Sequence, residues 1–367
     1  MGESRKAAAF GKADPDVFGL GRTKAVVGLD IGSSAVKAIE LKASGRTHRV
    51  SAYGAEPVPP DSIVDGAIID AVSVADAVRR VFDRAGTRTR DVAASLSGNA
   101  VIVKKISLPV MTESELGESI RWEAEQYIPF DIQDVNLDHQ ILEGEAAKGT
   151  MEVLLVAAKK DKINDYSGVI AQAGRHPAVI DVDAFAIQNA YEANYDIEPG
   201  VVTVLMNIGA SAVNINIVAG TSSVFTRDIS TGGNAYTEAI QREFNLSFEH
   251  AEQVKRGQPV DGVGPDDIRP VLRAVTENVL LEVQKTFDFY RATAPSDRLD
   301  RVMVCGGASR TEGLLADIGE RFGLPVEPLN PFRRVSFDAG RFGIEAGEAE
   351  ATAVVAVGLA LRRVGDR

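Results

Sequence analysis

The chain has 367 residues, 45% of them hydrophobic and 25% charged, ordinary values for a folded protein with room for two sizeable cores. Its formal net charge of −12 argues against a general nucleic-acid binder, because phosphate contacts need clustered Lys and Arg, though a local basic groove stays compatible. A single cysteine, Cys305, excludes an intrachain disulfide and suits a reducing compartment, and no run approaches the ~20 apolar residues that span a bilayer.

Residues 1–23 mix Gly, Lys, Asp and Ala without a period and read as a flexible leader; no charged region followed by an apolar core marks them for secretion. A first lobe is expected over 24–199. It opens with a β-hairpin at about 25–42, strand then glycine turn then returning strand. Beyond the Pro-rich stretch Glu56 to Asp61, a helix starts near Ser73 with Val74, Ala77, Val78, Val81 and Phe82 on one face. Asp91 to Ser95 and Ala100 to Ile106 read as strands. Thr112 and Glu115 form a capping box opening a helix through Trp122 to about Tyr127, where Ile128-Pro129-Phe130 ends it. Met151 to Ala157 reads as a strand, with helices near 160–173 and 183–194. The strand–helix alternation from 95 to 175 reads as a small α/β insertion, placed at about 96–165.

A second lobe, expected over 200–345, opens with Val201 to Met206, a second hairpin and the strand Ser222 to Asp228. Thr231-Gly232-Gly233-Asn234 turns into a helix near 235–244, Ser247 caps a short helix carrying Glu252 and Lys255, and the Gly/Pro/Asp-rich stretch 257–267 is a loop. A long helix to about Tyr290 completes a helical subdomain at about 235–298. Arg301 to Cys305 reads as a strand, Gly306-Gly307-Ala308 as a turn, and Ser309 with Glu312 as the cap of the next helix. Glu348 to Arg363 reads as a final helix, in a segment 346–367 expected to return to the first lobe.

One pattern occurs twice. Val27-Gly28-Leu29-Asp30-Ile31-Gly32-Ser33-Ser34-Ala35-Val36-Lys37 is echoed by Val204-Leu205-Met206-Asn207-Ile208-Gly209-Ala210-Ser211-Ala212-Val213-Asn214. Small residues at both tips leave backbone N–H groups free to wrap phosphate oxygens, and Asp30 can hold a cation or its water beside them. Lys37 follows on the returning strand, either reaching a phosphate as a point charge or simply facing water. The Gly-Gly start at 232–233 would add a helix N-terminus for an anion. Glu252 and Lys255, three apart on one helix, read equally as an exposed ion pair.

The order of these motifs resembles the actin-like ATPase superfamily: first phosphate hairpin, connecting helix, second phosphate hairpin, late Gly-Gly-Ala adenosine turn. The inserted unit resembles the FtsA cell-division and PilM pilus families. The run Ile120-Arg121-Trp122-Glu123-Ala124-Glu125-Gln126-Tyr127-Ile128-Pro129-Phe130, with Asp138-His139-Gln140-Ile141-Leu142, Asp183 to Glu192 and Asn330-Pro331-Phe332, is similar to the PilM family over about 24–363. The resemblance implies an α/β, two-lobed actin-like (ribonuclease H-like) fold with the insertion in the first lobe. It implies ATP and Mg²⁺ in the central cleft. Phosphates would rest on Gly32, Ser33, Ser34, Gly209, Ala210 and Ser211 beside Lys37. Asp30 would act on the metal through water, and the nucleoside would lie against Gly232, Gly233, Asn234, Glu252, Lys255, Gly306, Gly307, Ala308 and Ser309. Where the superfamily repeats an Asp, this chain has Asn207, which keeps the shape but not the charge, so nucleotide binding with weak or no ATPase activity is expected.

The resemblance also implies a job: a scaffold at the cytoplasmic face of the inner membrane, within the type IV pilus platform. It would dock the tail of a PilN-like membrane protein near Tyr127, Ile128 and Phe130, communicate with the assembly ATPases and platform protein, and reach the membrane only through partners. Those three residues read equally as core. Self-association fits the same family. Two alternatives stand beside it. An FtsA-like cell-division anchor would carry a basic amphipathic tail, and a sugar-kinase-type phosphotransferase would need a carboxylate base that no motif supplies.

Overall fold

The structure is a computed structural model that describes residues 25–142, 149–294 and 296–366; the expected leader lies outside them. The chain begins with β1 (Val27–Ile31), β2 (Ala35–Ser44) and β3 (Thr47–Pro57), an antiparallel run. A two-residue hairpin, β4 (Ile63–Val64) and β5 (Ala67–Ile68), leads to α1 (Ala71–Ala85). Asp70 caps α1 by accepting from Val72 N and Ser73 N, and left-handed Gly86 ends it. The expected apolar face of α1 is buried. β6 (Asp91–Leu96) pairs parallel with β1, and β10 (His176–Val182) pairs parallel with β6, giving the sheet order β10-β6-β1-β2-β3 once the intervening elements are passed.

Those intervening elements are β7 (Val101–Pro109), α2 (Glu113–Glu125), β8 (Val135–Ile141), β9 (Thr150–Lys159) and α3 (Lys160–Gln172). The three strands form a separate antiparallel sheet, β7-β9-β8, that buries Leu116, Ile120 and Ala124 of α2 in its own core. The capping box at Thr112 and Glu115 is present, with Thr112 N donating to Glu115 Oε2 at 2.7 Å. The expected insertion boundary near 165 needs correction. α3 buries Tyr166, Val169 and Ile170 with Val74, Val78 and Phe82 of α1, so it belongs to the first lobe's core and the insertion closes at the end of β9.

After α4 (Asp183–Asn194) the same plan recurs: β11 (Val202–Ile208), β12 (Val213–Ala219) and β13 (Ser222–Ile229) are antiparallel neighbours. α5 (Gly233–Phe244), α6 (Phe248–Lys255) and α7 (Pro265–Thr293) cover one face, and β14 (Arg301–Cys305) and β15 (Val326–Pro328) complete the sheet β13-β12-β11-β14-β15 around α8 (Leu314–Phe322). Past β15 the chain crosses to the edge of the first sheet, where Val50 N donates to Ser336 O at 2.9 Å and Phe332 and Phe337 stack at 4.3 Å. α9 (Ala339–Phe342), α10 (Ala346–Thr352) and α11 (Val354–Ala360) follow.

α4 and α11 lie between the two sheets. Their core joins Ala186, Ile187, Val354 and Leu359 to Ile39 and Ala93 of the first sheet and Leu205 and Met303 of the second. Glycine makes this closeness feasible: a Cβ on Gly28 would stand 2.5 Å from Ala360 N. Two expected features differ. The final helix is broken at Ala353 and stops at Ala360, because α10 serves the 306–309 turn while α11 packs on β1. Ser309 and Glu312 do not cap α8, whose N-cap is left-handed Gly313; the Ser309 hydroxyl instead donates to Gly306 O at 2.7 Å.

Candidate functional site

The two hairpin tips meet. Ser33 Oγ donates to Ser211 Oγ at 2.9 Å, joining positions 178 apart in sequence. Each tip is closed by the bond expected of a tight turn, Gly32 N to Ala35 O at 3.2 Å and Gly209 N to Ala212 O at 2.9 Å. Among the described residues, the N–H groups of Ser33, Ser34, Ala210 and Ser211 take no backbone partner, so both tips present free donors at the cleft. Neither Gly32 nor Gly209 is left-handed. Glycine fits there because a Cβ would stand 3.1 Å from the Ala35 or Ala212 carbonyl.

The residues flanking the second tip gather around it. Gly233 N and Asn234 N donate to Gly209 O and Ala210 O at 2.9 and 2.7 Å. The first N–H groups of α5 are therefore spent on the hairpin. This corrects the expectation of an open helix N-terminus for an anion at 232–233. A Cβ on Gly232 would stand 2.6 Å from Gly209 O, so this contact demands glycine. Glu252 and Lys255 are not an exposed pair. Lys255 Nζ donates to Gly233 O at 3.1 Å and Thr237 Oγ1 at 2.7 Å, and Thr237 Oγ1 also bonds Glu252. Burial depresses the Lys255 ammonium, while for Glu252 burial is outweighed by Lys255, Thr237 and Arg256 together, which hold the carboxyl low. Gly306, at φ +92°, Gly307, Ala308 and Ser309 close the far side, with Ala308 3.1 Å from where a Gly233 Cβ would be.

Asp30 pairs with Lys37, Oδ2 to Nζ 2.9 Å, across the register of the first hairpin. At the equivalent register of the second, Asn207 Nδ2 donates to Asn214 Oδ1 at 2.9 Å. So the structure brings Ser33 to Ser211, Gly233 and Asn234 to Gly209 and Ala210, Lys255 to Gly233, and Gly306 to Asn207. Sequence reasoning missed two carboxyls. Asp183, at the start of α4, accepts from Ser95 and Ser97 and is pushed up to about 6, by burial first and then by the charge of Asp30. Asp228, on β13, accepts from Asn214 Nδ2 at 2.8 Å and from Gly98 N, and burial pushes it up as well. Among the described residues no three His, Cys, Asp or Glu side chains converge to hold a metal.

The expected partner residues sit in the insertion. Ile128 is only 6% exposed and belongs to its core. Tyr127 and Phe130 are half-buried against that core, with Lys104 5.2 Å above the Tyr127 ring and Lys159 4.1 Å above Phe130. Trp122, on α2, is 73% exposed.

Two sheets of one topology, each aiming a small hairpin tip at the other, define a two-lobed actin-like protein. The ethanolamine utilization protein EutJ from Carboxydothermus hydrogenoformans shares this fold at 16% identity and TM-score 0.53, covering 92% of this chain and 89% of that one. MreB 5 of Spiroplasma citri, solved with AMPPNP bound, does so at 16% identity and TM-score 0.50, covering 92% and 95%. More specifically, a family model described as type IV pilus assembly protein PilM matches residues 28–364. A chain solved as part of a PilM–PilN type IV pilus biogenesis complex is 32% identical, with TM-score 0.82 over 93% of this chain and 98% of that one. This chain belongs to the PilM family of type IV pilus assembly proteins. The FtsA-like and sugar-kinase alternatives give way to that membership. Among the described residues no helix is long and apolar enough to cross a membrane.

Proposed function

We propose that the protein is an ATP-binding scaffold of the type IV pilus assembly platform, held at the inner-membrane face by the tail of a PilN-like membrane protein. The observation that carries the nucleotide half is the meeting of the tips, Ser33 on Ser211, each backed by free N–H groups. A triphosphate entering there replaces one hydroxyl–hydroxyl bond with charge-assisted bonds to both tips, so occupancy sets the angle between lobes. The partner half rests on membership of the family and on the likeness to the PilM–PilN complex.

The residues present fit ATP with Mg²⁺. Lys37 supplies a point charge, and Asp30 a carboxylate that orients the metal's water; bound Mg²⁺ would neutralise phosphate charge there. Turnover should be slow. Asn207 is neutral and its amide is committed to Asn214, leaving Asp30 as the one carboxylate at a hairpin base. Lys255 and Glu252, beneath Gly233, would line the nucleoside side, and self-association and contact with the pilus motors remain part of the same proposal.

Titration with a fluorescent ATP analogue tests it. The parent should bind, and Gly32→Val or Gly209→Val should weaken binding by at least about tenfold, a loss of 1.4 kcal/mol, with melting temperatures checked in parallel. Affinity unchanged in both folded variants would overturn the cleft assignment.

A further inference from the structure

Four side chains and one backbone group form an unbroken line from the cleft to the root of the insertion. Cys305 Sγ donates to Asn207 Oδ1 at 3.7 Å, Asn207 Nδ2 to Asn214 Oδ1 at 2.9 Å, and Asn214 Nδ2 to Asp228 Oδ1 at 2.8 Å. Asp228 Oδ2 accepts from Gly98 N. The last bond crosses between lobes, because Gly98 lies between β6 and β7 and Asp228 on β13. Asn207 stands two residues before the tip glycine Gly209.

The line has one permitted polarity. A carboxylate only accepts, so Asp228 obliges Asn214 to turn its Nδ2 towards it and its Oδ1 away. Position 207 must then donate. An Asp at 207 would face a carbonyl oxygen of Asn214, or would turn Asn214 round so that its Oδ1 faces the Asp228 carboxylate, acceptor against acceptor. Asn207 is therefore more than a weakened form of the superfamily's aspartate: it is the donor that this line requires.

We propose that the Asn207–Asn214–Asp228 relay couples occupancy of the cleft to the hold of the second lobe on the insertion's root at Gly98. The inference rests on the reading that the cleft takes ATP. A phosphate between Ser33 and Ser211 shifts the second hairpin relative to the first lobe, and the relay carries that shift to the Gly98 bond, which is either made or broken. The insertion then holds its partner face in one of two poses.

Amide hydrogen exchange over residues 97–109 of the full chain, with and without ATP, tests this, with ATP affinity measured by calorimetry on the same samples. In the parent, ATP should change exchange there by about fivefold or more. Asp228→Asn and Asn207→Asp should each reduce that response below about twofold. The double exchange, Asn207→Asp with Asp228→Asn, should restore it: Asn214 turns round, donates to residue 207 and accepts from the amide at 228, whose oxygen still takes Gly98 N, so every group is satisfied. Should Asp228→Asn fail to fold, Asn207→Asp and the double variant carry the same comparison. Single variants that respond like the parent, or a double variant as unresponsive as the singles, overturn the relay. ATP binding without any response in the parent overturns the relay and leaves the nucleotide reading standing, whereas absence of ATP binding overturns that reading.

Discussion

Two adjacent glycines show how differently one residue type can be used. At Gly306, φ is +92° and a Cβ would stand 2.5 Å from Asn207 Oδ1 as well as against Ile208 O. At Gly307 a Cβ would meet only Thr352 Cγ2 at 3.7 Å. Gly306→Ala is expected to cost about 1–3 kcal/mol in chemical denaturation, while Gly307→Ala should stay within ~0.5 kcal/mol. Equal costs would mean the turn does not pin β14 to the second hairpin. The sequence displays this pair without distinguishing its members, because the distinction comes from a strand about a hundred positions earlier. The tips were legible for the opposite reason: each is local, and their pattern occurs twice. Asp228 was not legible, since its donor Gly98 is 130 positions away and neither residue sits in a motif.

At the scale of elements, local signals held where one face alone decides. The Thr112–Glu115 box and the α1 stripe are of this kind. Three longer strands escaped, as did the short β4, β5 and β15. β3 mixes buried and exposed positions irregularly and carries Gly54, where a Cβ would stand 2.5 Å from Val81 O of α1. β8 is an edge strand that buries only Val135, and β10 opens on a His-Pro pair and shifts register between Pro177 and Val179. α2 lies where its capping box predicts, and two of its apolar residues part company: Trp122 is exposed while Ile120 joins the core. Ile120→Ala should therefore destabilise the chain by about 2–5 kcal/mol and Trp122→Ala by no more than ~0.5 kcal/mol, both measured by denaturant titration. A large cost at Trp122 would place a hidden contact on that face.

Across the whole molecule, the sequence repeat of eleven residues announces a much larger one that sequence does not show, since both sheets share one strand order. What the repeat leaves out is the layer between them. α4 and α11 come from distant parts of the chain and meet so closely that a Cβ on Gly358 would collide with the backbone of Ala186. That layer makes the angle between lobes a property of helix packing as much as of the cleft, and the crossing segment that ties Ser336 to β3 adds a second restraint at the first sheet's free edge.

The position of α11 also sets a schedule. Each sheet has an outer core of its own, closed by α1 and α3 in one case and by α5 and α7 in the other, so each can form as its residues are made. The shared inner core cannot, because it needs Val354 to Ala360, which are made after the residues of both outer cores. At roughly 5–20 residues per second, β1 waits on the order of tens of seconds with one face uncovered. Joining of the lobes thus follows the making of both outer cores. A chain ended after residue 345 should keep much of its secondary structure, bind a hydrophobic dye and melt in two steps. A single cooperative transition without dye binding would show instead that the halves lock together before α11 arrives.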